Sequence, residues 1–473
     1  MLAMTSGAMS SSELVEAALD RVETVDHLTN AVCTLDPTAL ETAAARDAEA
    51  VEGRSRGLLH GLPILVKDNI DTAGLSTTAG SLALAELPPP AVDAPLVQRL
   101  REAGMVVLGK TNLSEWANLR DERSTSGWSA YGGLTRNPYG LNRSAGGSSS
   151  GSGAAVAAGL TRYAVGTETD GSITCPAAFN GCVGLKPTVG LVPTTGIVPI
   201  SSSQDSPGPL TATVAEAAAL LGVLTGAGAD RYRPADGGLR GKRIGVPRKV
   251  FWGYSPQADA VVEEALSVLS GAGAEIVDGT DLESMVDYGF DDELVVLLAE
   301  FNVELATYLA TRAGDGPKSM ADVVAFNREH ADTELAWFGQ SFLEQALTAP
   351  GPDSPEYAEA RAKCLRAGRD DGIDAVLRAH RLDAFVTPAY APAIPIDLVN
   401  DELHHGSCTQ PTAMAGYPIL TVPAGLAHGL PVGVSFWGTA RSEQTLVDIG
   451  HGYELTRDAA GGALPPPTFP QFV

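Results

Sequence analysis

The sequence predicts an α/β protein in one large domain, with a central mixed β-sheet covered by helices on both faces. Three observations predict it. Short apolar runs alternate with helical patterns near both ends of the chain, and Ala-, Leu- and Glu-rich helical patterns fill residues 280–380 between them. The 52 Gly and 31 Pro among 473 residues imply many tight turns. A chain of this length buries a substantial core, and 44% apolar with 19% charged residues is ordinary globular composition.

Ser10 to Ser12, followed by Glu13, Leu14, Ala17, Ala18, Leu19 and Val22, reads as an N-capped amphipathic helix, and Thr38 to Val51 as a second. Both belong to an N-terminal helical segment of about residues 10–55. Gly61 and Pro63 open the apolar run Leu62 to Val66, a buried strand that ends on Lys67-Asp68-Asn69. Leu96 to Ala103 is helical, and Val106 to Lys110 is another strand. Residues 121–153 then change character, with Ser, Gly, Asn and Pro dominating and little periodicity. So long a loop is usually functional or disordered. A small-residue helix follows from about Ala154 to Leu160, then a strand at Tyr163 to Gly166 and a second Gly/Thr/Ser-rich loop to Cys175, all within a core segment of about 60–215. Leu294 to Leu309, Met320 to Phe342 and Tyr357 to His380 predict a helical subdomain over about 280–380. Ala384 to Thr387, Ile419 to Pro423 and Val432 to Trp437 return as strands, and Glu443 to Glu454 closes a C-terminal segment of about 384–456.

Thirty-two basic side chains face 57 acidic ones, a net charge of −25 that repels phosphate backbones and anionic membranes. Nucleic acid and membrane are therefore not expected partners, and the excess acid is read as solvated helix faces. Five scattered cysteines (Cys33, Cys175, Cys182, Cys364, Cys408) without a C-x-x-C pair read as buried free thiols. The segment Met1 to Ser6 lacks a basic start and an apolar core, and no run is read as spanning a membrane. The expectation is a cytoplasmic, soluble monomer or homodimer.

Three features carry chemistry: Lys67 at a strand end, the tract Gly146 to Gly153, and Thr169-Asp170-Gly171-Ser172-Ile173. Singly, each has a bland explanation: a flexible linker, a solvated lysine and a turn. In this order they resemble the amidase signature family, with Gly-Gly-Ser-Ser and Gly-Ser-Ile loops whose serines, 148 and 172, stand 24 residues apart, and an upstream lysine in Val66-Lys67-Asp68. Ala155 to Gly166, Pro176-Ala177-Ala178-Phe179 and Gly184-Leu185-Lys186-Pro187-Thr188 match as well. The resemblance spans about Ser10 to Leu455. It implies the amidase-signature fold, a nucleophile at Ser172, a bridging Ser148 preceded by a cis peptide bond, and a general base at Lys67.

Elementary chemistry supports those roles. A serine hydroxyl needs a base, and lysine is a base only when neutral. Taking a lysine pKa from ~10.4 to ~7.5 costs roughly 4 kcal/mol of differential solvation, within reach of burial. Asp68 would oppose this unless it faces the other way, as strand alternation predicts. Ser148 can donate and accept at once, and so pass a proton from Ser172 to Lys67. The backbone N–H groups of Thr169, Asp170, Gly171 and Ser172 form the expected oxyanion hole, where one donor is worth ~3–4 kcal/mol. Lysine basicity by burial leaves no task for a metal or organic cofactor.

Asp170 and Thr174 stand where the family pattern leads us to expect Gly and Arg. Thr-Asp-Gly-Ser-Ile before Cys-Pro is similar to the peptide amidase branch, as are Asn112 to Asn118, Ser126 to Ala130, Ser203 to Pro209, Ala325 to Asn327 and Trp337 to Gln340. The resemblance implies hydrolysis of a peptide or small-molecule carboxamide. An acylamidase or esterase is the runner-up, and the glutaminase component of an amidotransferase is a further alternative. Trp128, Phe301, Trp337 and Phe338 are the candidate walls of the substrate pocket.

Gly147-Ser148-Ser149-Ser150-Gly151 also satisfies G-x-S-x-G, which would make Ser149 the nucleophile with His451 as base. That motif needs a preceding strand, and Asn142-Arg143-Ser144-Ala145 is not apolar. His404-His405 reads as a loop and not a metal site, since no third ligand stands at a recognisable spacing.

Overall fold

A computed structural model describes residues 9–400, 402–403 and 405–472. Eleven strands form one sheet: β1 (Val32–Leu35), β2 (Pro63–Lys67), β3 (Val106–Thr111), β4 (Tyr163–Glu168), β5 (Val183–Lys186), β6 (Ser206–Thr211), β7 (Arg243–Val246), β8 (Glu275–Asp278), β9 (Ala384–Pro388), β10 (Ile419–Ala427) and β11 (Leu430–Trp437). Their spatial order is β1-β3-β2-β4-β6-β5-β10-β11-β9-β7-β8. The pairs β3/β2, β2/β4, β9/β7 and β7/β8 are parallel and the others antiparallel, so the sheet is mixed, as predicted.

Alternation along the central strands supplies two cores. Ile64, Val66, Val107 and Val165 join one apolar cluster with Leu96, Leu220, Val262 and Leu446 from helices Pro95–Glu102, Val214–Leu224, Pro256–Gly271 and Glu443–Ala459. Leu65, Val106, Leu108 and Ala164 join the opposite cluster with Val15, Ala43, Ala154 and Ala177 from helices Ser11–Thr29, Ala39–Val51, Ser150–Ala157 and Thr174–Asn180. Lys67 follows Leu65 by two residues and shares its face. Helix Ser11–Thr29 starts on the predicted cap, with Ser10 and Glu13 forming a capping box.

Several elements lack a periodic signal. β6, Ser-Pro-Gly-Pro-Leu-Thr, is internal despite two prolines: it pairs with β4 along its whole length but with β5 only at Leu210 and Thr211. Pro207 and Pro209 therefore lie where β5 makes no ladder and no N–H is missed. The expected helix Met320 to Phe342 is broken into Met320–Glu329, Ala331–Glu334 and Ser341–Ala346. Tyr357 to His380 is likewise interrupted by a wide turn at Arg366–Ile373.

Helix Asp291–Thr311 is long and apolar enough to cross a membrane by composition, where no such run is expected from the sequence. Its apolar residues instead pack into a third cluster, with Leu297, Phe301, Leu305 and Leu309 buried against Trp116, Met320 and Leu343. Four cysteines are buried and Cys33 is half-buried, all free thiols.

Candidate active site

Strand β2 carries Lys67 into the interior at its C-terminal end, and helix Ser150–Ala157 brings the Gly/Ser tract onto the same face. The small residues permit that approach: a Cβ on Gly151 would stand 2.2 Å from the Ala31 carbonyl oxygen and 2.6 Å from that of Asn112. The helix starts four residues earlier than its periodicity predicts, because Ser150 and Ser152 satisfy their hydroxyls internally, on Gly146 O and on Val165 O at 3.1 Å.

Lys67 is fully buried. Its Nζ donates to Ser148 Oγ at 2.8 Å, to Thr167 Oγ1 at 2.9 Å and to Thr167 O at 3.3 Å. Burial lowers its pKa to about 7, against the smaller opposing fields of Asp205 and Glu168. Two other lysines are equally buried, and their surroundings differ. Lys110 makes a salt bridge with Asp68 at 3.2 Å. Lys186 donates to Thr412 O at 3.3 Å, and its pKa too is lowered by burial, with Glu168, Asp170 and Glu443 acting the other way. Among the described residues no carboxylate lies within 4.0 Å of Lys67. Asp68 faces Lys110 and Thr78, as alternation predicts, and burial raises its pKa.

The peptide bond Gly147-Ser148 is cis. Ser148 O accepts from Ser114 N at 3.1 Å, and Ser149 N donates to Ser172 O at 3.1 Å, which ties the two loops together. Ser172 follows the end of β4. There Glu168 Oε2 accepts from Ile173 N and Thr174 N, both at 2.8 Å, and from Thr174 Oγ1 at 2.9 Å. This carboxylate folds the loop back on itself. The backbone N–H groups of Thr169, Asp170, Gly171 and Ser172 consequently donate to no other described residue, and so remain available to a ligand. Gly171 holds the turn at φ +79°, and a Cβ there would stand 2.1 Å from Tyr390 Oη.

Ser172, Thr169, Asp170 and Gly147 open into a cleft of about 480 Å³. Leu119, Ile200, Leu297, Phe342 and Tyr390 supply its apolar wall, and Asp121, Glu122 and Asp170 its carboxyl groups. Among the described residues no Lys, Arg or His lines it. Burial pushes the Asp170 carboxyl up to about 6, with Glu168 adding to the rise and Thr409 and Lys186 opposing it.

Lys67, Ser148 and the loop 169–172 therefore come together as predicted, whereas the four predicted pocket residues do not. Trp128 is buried edge-on against Phe338, with centroids 5.1 Å apart. Phe301 is wholly inside the third apolar cluster, and Trp337 is 48% exposed. None of the four lines the cleft. Apolar periodicity identifies a buried helix face but not the turn that reaches the site: Leu297 lines the cleft and Phe301, one turn on, does not. Thr167, Glu168 and Asp205 escape the sequence reading as site residues. Their one signal is position, at the end of β4 and in the adjoining loop, beside the Ser172 loop.

Residues Gly140–Ser144 do form a short strand, contrary to expectation, but it pairs with Arg136–Asn137 and, through Arg143, with Pro395, outside the main sheet. Ser149 Oγ is occupied, donating to Thr167 O at 3.0 Å and accepting from Thr167 N at 3.2 Å. His451 lies 3.7 Å from Glu454 on helix Glu443–Ala459 and does not line the cleft. His404 lies outside the described residues.

The chain is similar to proteins of known structure and sequence. The native peptide amidase of Stenotrophomonas maltophilia superposes with a TM-score of 0.89 at 46% identity, over 99% of this chain and 97% of that one. The peptide amidase PAM in complex with the competitive inhibitor chymostatin gives 0.90 at 45% identity, over 98% and 97%. A probable amidase of Arabidopsis thaliana is 36% identical over 471 residues, 94% of this chain and 86% of that protein. A glutamyl-tRNA(Gln) amidotransferase component of Myxococcus xanthus is 36% identical over 481 residues, 96% of each. With the Amidase family profile matching residues 13–447, in agreement with the loops that converge on the cleft, the chain belongs to the amidase signature family and is an amide hydrolase.

Proposed function

We propose that this amidase hydrolyses a primary carboxamide, the C-terminal amide of a peptide or a related small amide, to the acid and ammonia through an acyl-enzyme on Ser172. The observation that carries this reading is the buried, uncompensated Lys67 bonded to Ser148 Oγ, behind a serine that opens into the cleft. Ser172 Oγ bonds no described residue, and closes on Ser148 when substrate arrives, as catalytic hydrogen bonds commonly do. Its oxygen then attacks the carbonyl carbon while its proton passes to Ser148, whose own proton passes to Lys67. The oxyanion meets the free N–H groups of residues 169–172. Collapse breaks the C–N bond, and the relay returns the proton to the departing nitrogen. Water attacks the ester along the same route, and Ser172 regains its proton.

The acidic cleft favours a neutral or cationic amide over glutamine, whose α-carboxylate meets no described cationic side chain. That weighs against a glutaminase role within an amidotransferase, despite the sequence likeness. The test is ammonia release by the purified single chain from peptide amides, aryl amides and free glutamine. A fluorophosphonate adduct located by mass spectrometry on Ser172 is expected, and undiminished turnover by Ser172→Ala overturns the reading.

A further inference from the structure

One wall of the cleft is assembled from two segments far apart in sequence, residues 117–126 and Phe342. Arg120 stands at their junction, fully buried and outside the cleft. Its Nε donates to Gly339 O at 3.0 Å, its Nη2 to Phe338 O at 2.8 Å and its Nη1 to Glu115 Oε1 at 2.8 Å. The guanidinium carbon lies 4.2 Å from the ring centroid of Phe338 and 5.1 Å from that of Trp128. Around it, Phe342 N donates to Arg120 O at 3.1 Å, Ser341 N to Asp121 Oδ2 at 2.8 Å and Glu122 N to Ser341 Oγ at 3.1 Å.

Two consecutive carbonyls can turn to one guanidinium only where the chain is not helical. Residues 335–340 leave the helix that periodicity predicts over 320–342, and this is the stretch that Arg120 grips. A planar fork serves two carbonyls and a carboxylate at once, which an ammonium cannot do.

We propose that Arg120 is the positioning residue of the acyl-binding wall. By clamping 338–342 onto 120–122 it holds Phe342 and Asp121 against the cleft, and so sets affinity for the extended part of the substrate without touching the reacting atoms. This rests on the peptide-amide reading above.

The test compares kinetics on a dipeptide amide and on propionamide, together with the rate of fluorophosphonate labelling at Ser172. Arg120→Lys is expected to raise KM for the dipeptide amide about tenfold or more, with kcat, propionamide kcat/KM and labelling within about twofold of wild type. Phe338→Leu, which removes the ring against the guanidinium, is expected to raise the same KM by a smaller factor. An unchanged KM, or equal losses on both substrates and in labelling, overturns the proposal. Should Arg120→Lys fail to fold, Phe338→Leu alone decides by the same criteria. A wild-type enzyme that cleaves propionamide but no peptide amide defeats the substrate reading instead, and the comparison then moves to the largest amide it accepts.

Discussion

Lys67 Nζ lies 2.8 Å from Ser148 Oγ at the end of a strand whose other residues are apolar, and its remaining partners are the hydroxyl and carbonyl of Thr167. Neutral hydrogen-bonding groups hold the amine in place and stabilise its charged form less than a carboxylate would. A salt bridge such as the one Lys110 makes with Asp68 would have defeated the purpose.

In the proposed mechanism the three residues share one proton path. Ser172→Ala, Ser148→Ala and Lys67→Ala should each lower kcat by roughly a thousandfold or more, and the triple variant should be little worse than the worst single one. Steady-state rates of ammonia release measure this. Multiplicative losses would mean that the three do not share a proton path.

With Lys67 as the proposed general base, its pKa predicts the acid limb of activity. The proposed base works only as the neutral amine, so kcat/KM should rise with pH to a half-maximum at about pH 7. Asp205 is the larger of the two fields that hold the lysine pKa up, so Asp205→Asn should move that limb to lower pH. A limb that stays put or moves to higher pH counts against Lys67 as the titrating group.

Stability should record the same burial. The folded-state pKa is about 7 against an unfolded value near 10.5, so between these values the unfolded chain binds more protons. The lysine then costs stability that is recovered only as pH rises toward 10.5. Lys67→Met should therefore be inactive yet more stable near pH 7, by on the order of 2–4 kcal/mol after loss of its hydrogen bonds, with the gain fading above pH 10. Denaturant unfolding at pH 7 and pH 10 checks the sign.

Ser149 and His451 provide the contrast. Ser149→Ala forfeits two hydrogen bonds to Thr167, and should lose about 1–2 kcal/mol of stability while remaining labelled on Ser172. His451→Ala should keep turnover within about twofold. A fluorophosphonate adduct on Ser149 in the wild-type protein would restore Ser149 of the G-x-S-x-G motif as the nucleophile.

Much of this protein is legible from its sequence because the relevant information is local. The run Leu62 to Val66 alternates between two apolar clusters and delivers Lys67, and the Gly/Ser tract has side chains small enough for its helix to lie against Ala31 and Asn112. The resemblance to the amidase signature family, carried by the order of the three motifs, implied that Lys67, Ser148 and the loop 169–172 meet. The tertiary structure decided the rest. β6 became internal because its prolines fall where β5 does not pair, and residues 335–340 stay outside any helix where Phe338 O and Gly339 O accept from Arg120. Phe342, and not Trp337, reached the cleft for the same reason. Strand alternation and turn chemistry act between neighbours in the chain, whereas the walls of a cleft are set by contacts across more than 200 residues, such as Arg120 with Phe338, that no local pattern encodes.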